Sequence, residues 1–92
     1  MPLEIVWSPL ARARLKEIRT YVAMDKADAA DRLATRIVAV IETLRYHPYL
    51  GRAGSHPKIR ELVIGGSPYI VMYRVRGKRI LIGTIWHSAQ SR

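Results

Sequence analysis

Apolar residues fall into six runs, and their spacing changes from run to run. Leu3-Glu4-Ile5-Val6-Trp7 is short and rich in β-formers, which predicts a strand. Ser8-Pro9 then predicts a helix start, because the serine oxygen can take an orphan amide hydrogen and proline suits the first helical position. Ala11, Leu15, Ile18 and Val22 recur at helical spacing beside a basic stripe of Arg12, Lys16 and Arg19. Met24-Asp25-Lys26 breaks the pattern, and Asp25 is the expected cap of a second helix. That helix buries Leu33, Ile37, Val40, Ile41 and Leu44, and Ala29, Ala30 and Ala34 let it pack closely on a neighbour. His47-Pro48 ends it, since a residue before proline is pushed out of helical geometry.

Residues 48–57 read as a loop. Residues 59–64, 69–75 and 79–87 read as strands, joined by Gly65-Gly66-Ser67-Pro68 and Arg76-Gly77-Lys78 into an antiparallel meander. The predicted order is β-α-α-β-β-β. It implies one α+β domain over residues 1–92, a two-layer sandwich in which a helical hairpin covers one face of an antiparallel sheet. Tyr69, Val71, Tyr73 and Val75 alternate with Ile70, Met72 and Arg74. Ile80, Ile82, Thr84 and Trp86 alternate with Leu81, Gly83, Ile85 and His87. Neither alternation divides apolar from polar, so the pattern does not say which sheet face is buried.

Composition narrows the classes. In 92 residues, an apolar share of 49% and a charged share of 25% suit one small core and exclude wholesale disorder. Without cysteine there is no disulfide, thiolate ligand or cysteine nucleophile. Ile37-Val38-Ala39-Val40-Ile41, the longest aliphatic run, is too short for a bilayer, and no secretory leader is visible, so a cytoplasmic location is expected. The net charge of +9 is uneven: residues 1–50 contribute +2 and residues 51–92 contribute +7, with Glu61 the one acid in the second half. That asymmetry predicts a polyanionic or acidic protein partner for the second half.

No enzymatic motif of high specificity occurs. The glycines lie in turns rather than in a phosphate-cradling loop, and His47, His56 and His87 are dispersed, so neither cofactor nor metal is expected. What remains is basic and aromatic. Arginine and lysine neutralise phosphates, and aromatic faces stack on unpaired bases. Arg52, Lys58, Arg60, Arg74 and Arg92 are candidate contacts to nucleic acid or another target. If the chain cleaves RNA, His87 is its candidate acid or base, with arginines around the phosphate.

The predicted element order, the opening Ile5-Val6-Trp7-Ser8-Pro9-Leu10-Ala11, His47-Pro48-Tyr49-Leu50-Gly51-Arg52 and Arg60-Glu61-Leu62-Val63-Ile64 together resemble the RelE/ParE toxin superfamily. Pro68-Tyr69-Ile70-Val71-Met72-Tyr73-Arg74-Val75 and the ending Ile85-Trp86-His87-Ser88-Ala89-Gln90 extend the resemblance over nearly the whole chain. It implies a toxin of a type II toxin–antitoxin pair, held inactive by a cognate antitoxin, as a homodimer or a toxin–antitoxin hetero-oligomer. RelE-like members cut mRNA on the ribosome without a metal, whereas ParE-like members poison DNA gyrase. In nuclease members an arginine stands three positions before the tyrosine that matches Tyr73; here that position is Ile70. The departure favours a gyrase inhibitor. An mRNA endonuclease using His87 is the alternative, and a non-toxic basic RNA- or protein-binding module is the third. For the antitoxin, Leu81, Ile85 and Met72 beside arginines are the expected seat of an amphipathic acidic segment.

Overall fold

Ser8 does two jobs at the junction between the first strand and the first helix. In the computed structural model, which describes residues 2–89, its Oγ accepts the Ala11 amide at 2.9 Å and donates to the Gly83 carbonyl at 2.7 Å. The first contact caps a helix; the second ties that cap to the last strand. The elements are β1 (Glu4–Trp7), α1 (Pro9–Ala23), α2 (Ala27–Glu42), a 3₁₀ turn (Thr43–Arg45), β2 (Arg52–Ala53), β3 (Arg60–Val63), β4 (Tyr69–Arg76) and β5 (Arg79–His87). Two helices therefore pack on a five-stranded sheet of order β1-β5-β4-β3-β2, the expected α+β arrangement.

The meander β3-β4-β5 is antiparallel as predicted, but β1 lies parallel to β5, so the sheet is mixed. The chain leaves β1 through both helices, and such a long connection is what a parallel partner requires. The predicted loop also contains β2, whose two residues pair with Glu61 and Arg60 of β3. Lys26, not Asp25, occupies the start of α2, with no side-chain hydrogen bond there. The α-helix stops before His47-Pro48, because residues 43–45 tighten into a 3₁₀ turn and Thr43 Oγ1 donates back to the Val40 carbonyl at 2.6 Å.

Between Met72 and Tyr73 the β4–β5 register slips by one residue, leaving Gly83 as the extra residue of β5. A bulge of this kind turns the following side chains over. Ile80 and Ile82 point into the core before it, and Ile85 does so after it, all fully buried. Strict alternation had placed Ile85 opposite Ile80 and Ile82. Ile85 is therefore core, and it cannot help seat an antitoxin as expected; Val6, Leu10 and Val63 are among the exposed aliphatics near the sheet.

The core lies between the hairpin and one sheet face. Ile37, Ile41 and Leu44 meet Val71, Tyr73, Ile80, Ile82 and Ile85, and Ala11 and Ile18 close it from α1. Each buried isoleucine, leucine or valine contributes about 1.5–3 kcal/mol by leaving water. On the outer side of the hairpin, Arg19 grips Asp31 at 2.6 Å, but both side chains are more than half exposed. No helix among the described residues is long and apolar enough to cross a membrane.

Candidate functional site

The turn after the helices is held by a buried phenol. Tyr73 is 1% exposed, and its hydroxyl donates to the Pro48 carbonyl and accepts the Gly51 amide, both at 2.8 Å. Burial pushes the phenol above its ordinary pKa, outweighing the opposing influence of the Gly51 amide and the Arg60 charge. The hydroxyl therefore keeps its proton for Pro48. Gly51 is required here, since a Cβ would sit 2.7 Å from both Tyr73 Cε1 and the hydroxyl. Arg60 Nη1 donates to the Gly51 carbonyl at 2.8 Å, and its guanidinium carbon lies 4.8 Å from the centre of the Tyr49 ring. Three side-chain hydrogen bonds thus pin residues 48–51 and leave Tyr49 and Leu50 facing outward.

Beside this turn the β3–β4 ladder ends at the pair Arg60–Tyr73, so the last residues of β4 have no β3 neighbour. The gap is a cleft of about 570 Å³ lined by Tyr49, Pro57, Lys58, Arg60, Arg74, Val75 and Arg76. It brings together Lys58, Arg60 and Arg74 of the predicted contact residues. Arg52 is outside the lining. Its guanidinium reaches the carboxylate of Glu61 at 3.3 Å, and Glu61 is 3% exposed while Arg52 is largely open to solvent. Arg92 lies outside the described residues. Arg76 was missed from the sequence, although it follows Arg74 by two positions on one strand, the spacing that puts two side chains on one face.

His87 stands elsewhere. It pairs with Tyr69, four residues along β4 from Tyr73, which separates it from the cleft by ~13 Å of strand rise. Its ring meets that of Tyr69 edge-on at 5.4 Å, and its Nδ1 accepts the Ala89 amide at 3.0 Å. The surrounding hollow, about 290 Å³, is lined chiefly by Arg14, Glu17, Tyr21, Tyr69 and Trp86. Burial, with a smaller contribution from Tyr21, raises the pKa of Tyr69. His87 and the cations of the cleft therefore occupy opposite ends of β4.

The sheet face away from the helices carries a third hollow, about 510 Å³ and mainly apolar, whose walls include Val6, Leu10, Ile59, Met72, Leu81 and Arg74. Arg74 is common to this groove and the basic cleft. Among the described residues, no three histidine, aspartate or glutamate side chains converge in a group able to hold a metal.

This geometry has relatives. The Sinorhizobium fredii protein Y4kP, a candidate toxin by its name, is 38% identical over 86 residues, 94% of this chain and 88% of that one. Toxin RelE2 of Caulobacter vibrioides is 33% identical over 87 residues, 95% of this chain and 97% of its own. A solved structure described as the chromosomal ParDE TA system from P. aeruginosa superposes with a TM-score of 0.82 at 27% identity, covering 92% of this chain and 95% of that one. The family described as ParE toxin of type II toxin-antitoxin system, parDE, matches residues 5–92. With a match over almost its full length, the chain belongs to the ParE toxin family of type II toxin–antitoxin systems.

Proposed function

We propose that this toxin arrests growth by inhibiting DNA gyrase, and that a cognate antitoxin holds it inactive in the cytoplasm within a toxin–antitoxin hetero-oligomer. Membership of the family implies the antitoxin. Gyrase as target is supported above all by the separation of His87 from the cations of the cleft; Arg14, which lines the His87 hollow, is ion-paired with Glu17. RNA cleavage needs a proton-transfer group and positive charge around the same phosphate. His87 is ~13 Å of strand rise from the cleft that holds Lys58, Arg60 and Arg74, and Ile70, which stands where nuclease members carry arginine, is 5% exposed. A gyrase inhibitor needs a contact surface rather than a proton shuttle. Arg52, Lys58, Arg60, Arg74 and Arg92 are the contacts proposed for it. The apolar groove, with Arg74 in its wall, suits an amphipathic acidic segment of the antitoxin, and binding there is expected to start faster at low salt.

The second reading, mRNA cleavage, draws on the likeness to a toxin named RelE2. Brief expression of the wild type, His87→Ala, Arg52→Ala and Arg92→Ala separates the two, with purified gyrase tested for supercoiling and cellular mRNA for cleavage. The expected result is inhibited supercoiling that survives His87→Ala and weakens in the arginine variants. Codon-phased mRNA cleavage that falls ~10²–10⁴-fold in His87→Ala alone would replace gyrase with the ribosome.

A further inference from the structure

The basic cleft and the apolar groove differ in the chemistry they offer. The groove presents aliphatic side chains, as a protein segment requires. The cleft presents four cations and one aromatic ring, with Pro57 and Val75 as the rest of its wall. We propose that this cleft binds a single-stranded phosphodiester chain, with phosphates on Lys58, Arg74 and Arg76 and one unpaired base on Tyr49. The proposal rests on reading these basic residues as the target-contact surface and gives that surface a ligand.

Charge pairing carries the first part. Glu4, Glu17, Asp31, Glu42 and Glu61 pair with Arg79, Arg14, Arg19, Arg45 and Arg52. Among the described residues, no carboxylate is ion-paired with Lys58, Arg60, Arg74 or Arg76. The acids neutralise arginines elsewhere and leave these four close together, an arrangement that repels itself until an anion arrives. Phosphate groups spaced along a chain meet several such cations at once, each contact releasing counterions.

Tyr49 carries the second part. It is 64% exposed, yet it is not loose: Arg60 lies over its ring, and Arg60 is itself anchored on the Gly51 carbonyl that the Tyr73 latch holds in place. A fixed, open aromatic surface next to cations is the arrangement on which unpaired bases stack. Bases in a duplex are already stacked on their neighbours, so this feature favours a single strand. The cleft volume of about 570 Å³ falls within the span of ordinary ligand pockets, which suits one nucleotide with the chain passing on either side.

The test uses the whole purified chain and fluorescent eight-nucleotide strands of DNA and RNA of one sequence, the corresponding DNA duplex, and a glutamate-rich peptide of equal charge. Single strands should bind, with affinity falling about 20-fold between 50 and 200 mM salt if about three phosphates are contacted. Lys58→Ala and Arg76→Ala should each flatten the salt slope by about 0.7. Arg32→Ala, an exposed position on α2 with the same loss of charge, should leave it unchanged. Tyr49→Ala should weaken binding about 5- to 150-fold while Tyr49→Phe keeps it. A preference between the DNA and RNA strands identifies the source of the chain, and either supports the proposal. Equal losses in Arg32→Ala and Arg76→Ala, or a duplex or peptide that binds as tightly as the strands, would overturn it. A chain that arrests growth but binds no strand refutes the cleft and leaves the toxin reading standing. Strand binding in the expected pattern without any effect on gyrase refutes the gyrase reading instead.

Discussion

Replacing Tyr73 by phenylalanine removes one oxygen from the interior and keeps the ring, so it isolates the latch from the packing. Two hydrogen bonds of 2.8 Å disappear, one from the Gly51 amide and one to the Pro48 carbonyl. Gly51 is buried, and an amide left unpaired there costs about 1–3 kcal/mol. Pro48 is only half-buried, so its carbonyl can turn to water and loses about 1 kcal/mol. The sum is about 2–4 kcal/mol. At about 4–8 °C per kcal/mol for a chain of this size, the melting temperature should fall by roughly 10–30 °C. Urea titration should show the midpoint moving with an unchanged slope, because no additional surface is exposed. Hydrogen exchange at the Gly51 amide should accelerate more than exchange in β4. A loss below about 0.5 kcal/mol would refute the reasoning, showing that the turn holds without the hydroxyl.

Three further outcomes follow from the same structure. Gly51→Ala forces a methyl to 2.7 Å from the Tyr73 hydroxyl and should cost about 1–3 kcal/mol in chemical denaturation, whereas Gly65→Ala, with nothing within 4 Å, should stay within about 0.5 kcal/mol. Tyr69 and Tyr73 both have phenols raised above 10.0, so the fold binds their protons more tightly than the unfolded chain does. Stability is then whole below pH 10, declines as the pH climbs from there through the folded values, and declines less in Tyr69→Phe, as alkaline melts would show. Arg19→Ala breaks the ion pair with Asp31, but both partners are mostly solvated, and thermal melts should move by less than about 1 kcal/mol at physiological salt.

Local chemistry was legible in the sequence, and long-range pairing was not. Ser8-Pro9 marks the start of α1 because capping depends on neighbours in the chain, and the glycine-bearing turns mark the meander for the same reason. The stripes Ala11–Ile18 and Ile37–Ile41–Leu44 point inward as their spacing demands. Nothing local reveals that β1 chooses a parallel seat on β5, since strand periodicity is the same in either direction. Gly83 looks like any strand glycine until the register beside Met72 shows it to be a bulge, and that single residue reverses the facing of everything after it. At the candidate site, charge counting found Lys58, Arg60 and Arg74 but could not part His87 from them, because distance along β4 emerges only once the strands are in register. Tyr73 lies in the core, on a face that the alternation of β4 left unassigned. Its hydroxyl partners, 22 and 25 residues back in the chain, were out of reach of any motif.

The seat of β1 against β5 also sets an order of events during synthesis. Ser8 meets Gly83 across 75 residues of chain, and the ladder of β1 is made with the last strand, where the Glu4 and Ser8 amides donate to the Lys78 and Ile82 carbonyls. While the ribosome is still making residues 60–78, the first strand has no ladder to join and the hairpin has little sheet to cover. Contacts of such long sequence separation form slowly and late. A nascent toxin of this design therefore stays incomplete until its final strand has emerged, which leaves a translation-long interval in which a waiting antitoxin can meet the chain before it is a finished protein.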